Sequence, residues 1–96
     1  MRARLGEQII AEADQDDLVR IEGNWYFPPK SIADGALSPS ATPYTCPWKG
    51  DAQYFDVAGR TDLAWSYPTP YATAIERVGT DFSGYVAFDP SVTVES

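Results

Sequence analysis

The sequence predicts a mainly β fold, α+β at the margin: a small bent antiparallel sheet with one short helix near 70–78. Three observations predict it. Short runs alternate apolar and polar residues with the period of two that a half-buried strand requires. The pairs Gly23-Asn24 and Gly59-Arg60 supply turn chemistry between those runs. The connections are mostly too short for the crossover that parallel strands need.

Each element follows from local chemistry. Residues 8–13 read as a strand ended by the acidic turn Asp14-Gln15-Asp16-Asp17. In 18–22, Val19 and Ile21 share one face and Arg20 and Glu22 the other. Trp25-Tyr26-Phe27 continues as a strand until Pro28-Pro29, which cannot donate to a ladder. Ser31 is placed to cap one helical turn over 32–36. Residues 38–47 hold Pro39, Pro43 and Pro47 and read as an ordered surface loop anchored by Tyr44, Cys46 and Trp48. The clearest hairpin joins 52–58 to 63–67. On its second strand Leu63, Trp65 and Tyr67 share a face; on its first, Phe55 and Val57 oppose Ala52, Tyr54 and Asp56. Thr69 as N-cap and Pro70 at the first helical position open a helix over 71–78, with Arg77 in its last turn and Gly79 as the stop. Residues 82–88 read as an aromatic-rich strand, and 92–95 close the chain, giving seven strands and one short helix.

Bulk properties bound the function. Ninety-six residues fit one domain, 1–96. A hydrophobic fraction of 44% suffices for a packed core, so disorder of the body is not expected. The net charge of −7 repels phosphate backbones, and the seven basic residues are scattered rather than clustered. Nucleic acid and anionic membrane are therefore not expected as partners. No apolar run approaches the ~18 residues of a membrane span, and no apolar signal core follows Arg2 and Arg4. Cys46 is the sole cysteine, which suits a reducing, cytoplasmic location. The chain has no histidine, so a Ser-His-Asp triad is excluded and a four-ligand zinc site within one chain nearly so. No metal and no cofactor are expected.

Four segments carry a family resemblance. They are Glu22-Gly23-Asn24-Trp25-Tyr26-Phe27-Pro28, Thr45-Cys46-Pro47-Trp48-Lys49-Gly50-Asp51-Ala52-Gln53-Tyr54, Ala64-Trp65-Ser66-Tyr67-Pro68 and Gly84-Tyr85-Val86-Ala87-Phe88. In this order, over nearly the whole chain, they resemble the family catalogued as domain of unknown function 427. The resemblance implies a compact, bent, tent-like β architecture and carries a nucleotidyltransferase-like label. Trp25 stands where relatives often have histidine, so chemistry resting on that histidine is not available here.

Three candidate sites follow. Nucleotidyl transfer needs carboxylates for Mg²⁺ and a phosphate cradle. Asp14-Gln15-Asp16 is formally a D-x-D, but no Gly-rich loop or basic cluster accompanies it, and a solvated turn is the favoured reading. Cys46 has Lys49 three residues on to lower its pKa, yet neither a histidine base nor a resolving thiol is present; a packed residue under the loop is favoured. Trp48, Tyr54, Trp65 and Tyr67 are first of all core. Their polar edges also suit them to wall a ligand, with Lys49 as charged contact and Cys46 as floor. Pro47 and Gly50 would fix the loop so that its backbone approaches a ligand, and Tyr26 and Tyr85 are placed to join. Trp48 and Trp65 on opposite faces of the sheet would end this reading.

The preferred reading is a small-molecule or peptide binding module rather than an enzyme, with Cys46, Trp48, Lys49, Tyr54, Trp65 and Tyr67 as its site. Its rivals are an enzyme of nucleotide or thiol chemistry and an interaction protein without ligand. The last would bury the aromatics and leave an edge such as Val92-Thr93-Val94 for a second chain, so a homodimer stays open.

Overall fold

Strands hold 50% of the residues and helices 14%, which makes the chain mainly β with a short helix. The computed structural model describes all 96 residues. Nine strands run in chain order: β1 Arg2–Leu5, β2 Gln8–Glu12, β3 Val19–Ile21, β4 Asn24–Tyr26, β5 Leu37–Cys46, β6 Gly50–Val57, β7 Arg60–Ser66, β8 Val86–Phe88 and β9 Thr93–Glu95. One α-helix, α1, spans Ala72–Val78. All pairings are antiparallel, and the strands form three sheets: β2-β1-β9, β3-β4 and β5-β6-β7-β8. No helix is long and apolar enough to cross a membrane.

The period-two alternation of β7 and β8 divides the interior in two. Ala64, Val86 and Phe88 point into a first cluster with Ala3, Ile10 and Ala11 of the three-stranded sheet. Ala87 and Tyr67 point the other way, into a second cluster with Ile21, Tyr26, Ala74 and Phe82. The β3-β4 hairpin spans the boundary. Tyr26 enters the second cluster and Phe27 the first. Phe27 is held by reciprocal 2.8 Å hydrogen bonds with Val86, which continue the large sheet past β8.

The structure has two strands more than the sequence predicts. Residues 38–47, read as a loop, lie almost wholly in the ten-residue strand β5. Its prolines are tolerated because β5 is an edge strand, paired only with β6, and because the register shifts between Pro39 and Pro43. Strand β1 also escaped the reading. Ala3 is fully buried between Arg2 and Arg4, which turn outward to Glu12 at 3.2 Å and Glu95 at 2.9 Å.

Other boundaries move for local reasons. Ser31 caps no turn over 32–36. Its hydroxyl donates back to the Pro28 carbonyl at 2.7 Å, closing a 3-10 turn over Pro29–Ser31, and Ile32 then bridges to Ala11. The N-cap of α1 is Tyr71 rather than Thr69, because the Tyr71 amide donates to the Lys49 carbonyl at 3.0 Å and holds that residue extended. Gly79 does end the helix, in left-handed conformation at φ 91°. Of residues 82–88 only Val86–Phe88 is strand. Phe82 is buried from a turn that Asp81 stabilises through the Ser83 amide at 2.9 Å. Leu63 does not share a cluster with Trp65 and Tyr67: Asp62 sits at φ 56° beside a register shift, and Leu63 packs with Ala64 in the first cluster.

Candidate functional site

The second cluster holds a cation. Lys49 lies in the Pro47-Trp48-Lys49 turn between β5 and β6 and is only 6% exposed. Buried lysines are rare unless paired. Its Nζ bonds Glu22 Oε1 at 2.5 Å, and Glu22 itself keeps 55% of its side chain in solvent. The same Nζ stands 5.2 Å from the Trp48 ring centroid and 5.1 Å from that of Tyr67, within cation–π range of both. The Arg77 guanidinium covers Trp48 at 4.5 Å. Burial pushes the Lys49 ammonium down, but the bond to Glu22 and the neighbouring Tyr26 outweigh it and hold Lys49 above its ordinary value. The cation is therefore charged at neutral pH.

Local structure sets this arrangement. Gly50 sits at φ 115°, and a Cβ there would approach the Thr69 carbonyl and the Tyr71 ring at 3.5 and 3.6 Å. The β5–β6 turn thus presses against the approach to α1, and the close backbone approach expected at Gly50 is to the chain's own Tyr71. Glu22 and Gly23 both have positive φ, 53° and 82°, as the two central residues of a tight hairpin. That hairpin aims the glutamate at Lys49 across 27 positions of sequence.

The aromatic residues form one continuous array. Tyr54 pairs with Trp65 across β6 and β7, ring centroids 6.2 Å apart, and Tyr44 packs on Tyr54 at 6.5 Å. The Trp65 indole N–H donates to the Tyr26 hydroxyl at 3.1 Å. Tyr26 and Tyr67 meet Phe82 edge-on at 6.2 and 6.4 Å. Burial first, then neighbouring ionisable groups, pushes the hydroxyls of Tyr67 and Tyr54 up, so both are neutral donors at pH 7. Tyr67 is 3% exposed, and its hydroxyl bonds to no protein group but keeps contact with solvent; the one buried side-chain polar atom without a partner is Asp62 Oδ1. At the far end the array opens, and Tyr44 is 48% exposed.

The six residues singled out from the sequence thus lie together. Cys46 and Tyr67 are members of the second cluster, and Trp48 and Trp65 both pack against it. Lys49 is held among these rings, and Tyr54 joins through Trp65. They form a face rather than an enclosed cavity. Three surface depressions, of about 290, 260 and 180 Å³, lie elsewhere, and none is lined by any of the six. Glu22 was missed, since its pairing depends on a fold contact with no local sequence signal. The Tyr26 bond to Trp65 follows the expectation that Tyr26 joins from a neighbouring strand. Asp14, Asp16 and Asp17 lie exposed around a 3-10 turn, and no three Cys, Asp or Glu side chains converge as metal ligands.

Fold and site together define a small mainly β protein with a buried cation set among aromatic rings. The chain belongs to the family described as a domain of unknown function (DUF427), whose model matches residues 1–96. No curated protein matches it.

Proposed function

We propose that the chain is a binding module for a small molecule or peptide, and that its site is the face formed by Trp48, Lys49, Tyr54, Trp65 and Tyr67, with Cys46 packed beneath. The observation that carries this reading is the buried charge of Lys49. Burying an ammonium costs several kcal/mol before its partners repay any of it. Here the one ionic partner is a glutamate more than half exposed. Such a pair contributes little to holding a fold together. The same cation, fixed beside the half-buried Trp48 ring, gives a ligand both a charged contact and a flat wall. Cys46 is buried in the floor, so its role is packing.

A thermal-shift screen of the full chain against a metabolite and short-peptide panel tests the reading. A ligand at 100 times its Kd stabilises the native state by about 2.7 kcal/mol, or several degrees in a domain of this size. A hit that quenches tryptophan emission and is lost in both Lys49→Met and Tyr54→Ala supports the site. Hits unaffected by both substitutions would place binding elsewhere.

A further inference from the structure

We propose that the Lys49 site takes a flat organic carboxylate, and that Glu22 is the built-in occupant it displaces. This rests on the binding-module reading and names its ligand class. The ammonium of Lys49 has three donors and one carboxylate acceptor, supplied by a side chain that stands largely in water. Beside it the Tyr67 ring, its centroid 5.1 Å from Lys49 Nζ, carries a hydroxyl that bonds to no protein group and keeps contact with solvent. A hydroxyl in contact with solvent is free to donate to a group arriving from solvent. A carboxylate arriving from solvent has two oxygens, one for Lys49 Nζ and one for Tyr67. Glu22 uses only Oε1 on Lys49 and reaches no second donor in the site.

Both the charge and the walls select the class. Lys49 and Arg77, both beside Trp48, with Glu22 nearby leave one net positive charge, which in a chain of net charge −7 matches a monoanion better than a phosphate dianion. Trp48 is half-buried with Arg77 over its ring, Tyr54 is half-buried and Tyr44 exposed, so an apolar flat body attached to the carboxylate has the Trp48 edge and the two tyrosine rings to meet. Displacement is needed because Glu22 is tethered. Its hairpin holds it at Lys49 with a high effective concentration, which a free acid must overcome through its contacts with the rings. Glutamate at a left-handed turn position, where glycine, asparagine or aspartate is favoured, is the residue whose reach permits that tethering.

The experiment titrates the full chain, Glu22→Ala and Lys49→Met with benzoate, benzamide and benzylammonium, reading tryptophan emission. Melting temperatures are measured in matched acetate, chloride and inorganic phosphate. Benzoate is expected to bind Glu22→Ala about tenfold or more tighter than the unaltered chain, because the tethered competitor is gone. It should not bind Lys49→Met, and acetate should raise the melting temperature of Glu22→Ala above its value in chloride or phosphate. Equal benzoate affinity with and without Glu22, or greater stabilisation by phosphate than by acetate, overturns the proposal. If benzamide binds as well as benzoate in all three proteins, the aromatic site stands and the carboxylate specificity falls. If no probe alters emission in any of them, the binding-module reading falls with it. Should Glu22→Ala not fold, Glu22→Gln keeps a neutral acceptor and supports the same comparison.

Discussion

Replacing Lys49 by methionine should change the stability of the fold little, whereas removing the charge of Glu22 should cost it something. In Glu22→Gln the lysine stays charged and buried and loses an ionic acceptor for a neutral one. Charged hydrogen bonds contribute about 1.5–3 kcal/mol and neutral ones about 0.5–1.5. Screening at a half-exposed glutamate brings the loss to about 1 kcal/mol. That is about 4–8 °C in melting temperature for a domain of this length. In Lys49→Met the same bond is lost, together with two ring contacts of about 0.5–1 kcal/mol each. Against this, the desolvation of the ammonium disappears, although its partners outweigh it, and a thioether of similar length regains about 0.3–1.5 kcal/mol on the Trp48 and Tyr67 rings. The expected outcome is a change within about 1 kcal/mol of zero, as the thioether contacts offset most of the lost pairing. Urea unfolding at pH 7 with an unaltered m-value measures it. The double variant should match Lys49→Met within about 0.5 kcal/mol, since Glu22 then has nothing to pair with. A loss of about 2 kcal/mol or more in Lys49→Met would refute the reasoning, because the cation would then hold the fold together.

Three further outcomes are expected. Lys49 titrates above its ordinary value in the folded chain, so its contribution is complete below the unfolded value of about 10.4 and is lost as pH rises through the folded one; the stability difference between the unaltered chain and Lys49→Met, followed by urea midpoint from pH 8 to 11, should move against the unaltered chain only at the alkaline end. Tyr26→Phe removes the acceptor of the Trp65 indole N–H and should cost about 1–3 kcal/mol, with a shift in tryptophan emission that Phe82→Leu does not reproduce. The Ser83 hydroxyl and amide hold the Asp81 carboxyl below its ordinary value. A depressed carboxylate stabilises above its unfolded value of about 3.9 and less as pH falls through its folded one, so Asp81→Asn should flatten the acid limb of the stability curve between pH 5 and 2.

What was legible in the sequence was whatever local alternation decides. The β6–β7 hairpin and the Tyr54–Trp65 pair follow from period two, and the helix stop follows from Gly79. Strand β5 was illegible because three prolines in ten residues argue against a strand unless one knows that it lies at an edge. Edge position is a property of the assembled sheet. The face of Leu63 was misread for a related reason: residues 61–63 oppose Asp56 alone, so Leu63 lies in a bulge that breaks the alternation, and the sequence does not declare it. The partner of Lys49 was beyond reach because it comes from another sheet.

The two-sided use of β7 and β8 explains why the site lies where it does. Consecutive residues on β8, Val86-Ala87-Phe88, feed opposite clusters, so each face of the sheet needs its own cover. The first face is covered by the three-stranded sheet, and its cluster contains no charged residue. The second is covered only by the short β3-β4 hairpin, Phe82 and a seven-residue helix. That cover ends before Tyr54 and Tyr44, and at its margin the hairpin turn supplies Glu22 to Lys49. A strand added outside β5 could have closed the gap, but the Pro39 and Pro43 shift opposes it. The aromatic face is thus the uncovered end of a second core, and the hairpin that covers that core carries the Glu22 side chain that the proposed ligand would displace from Lys49.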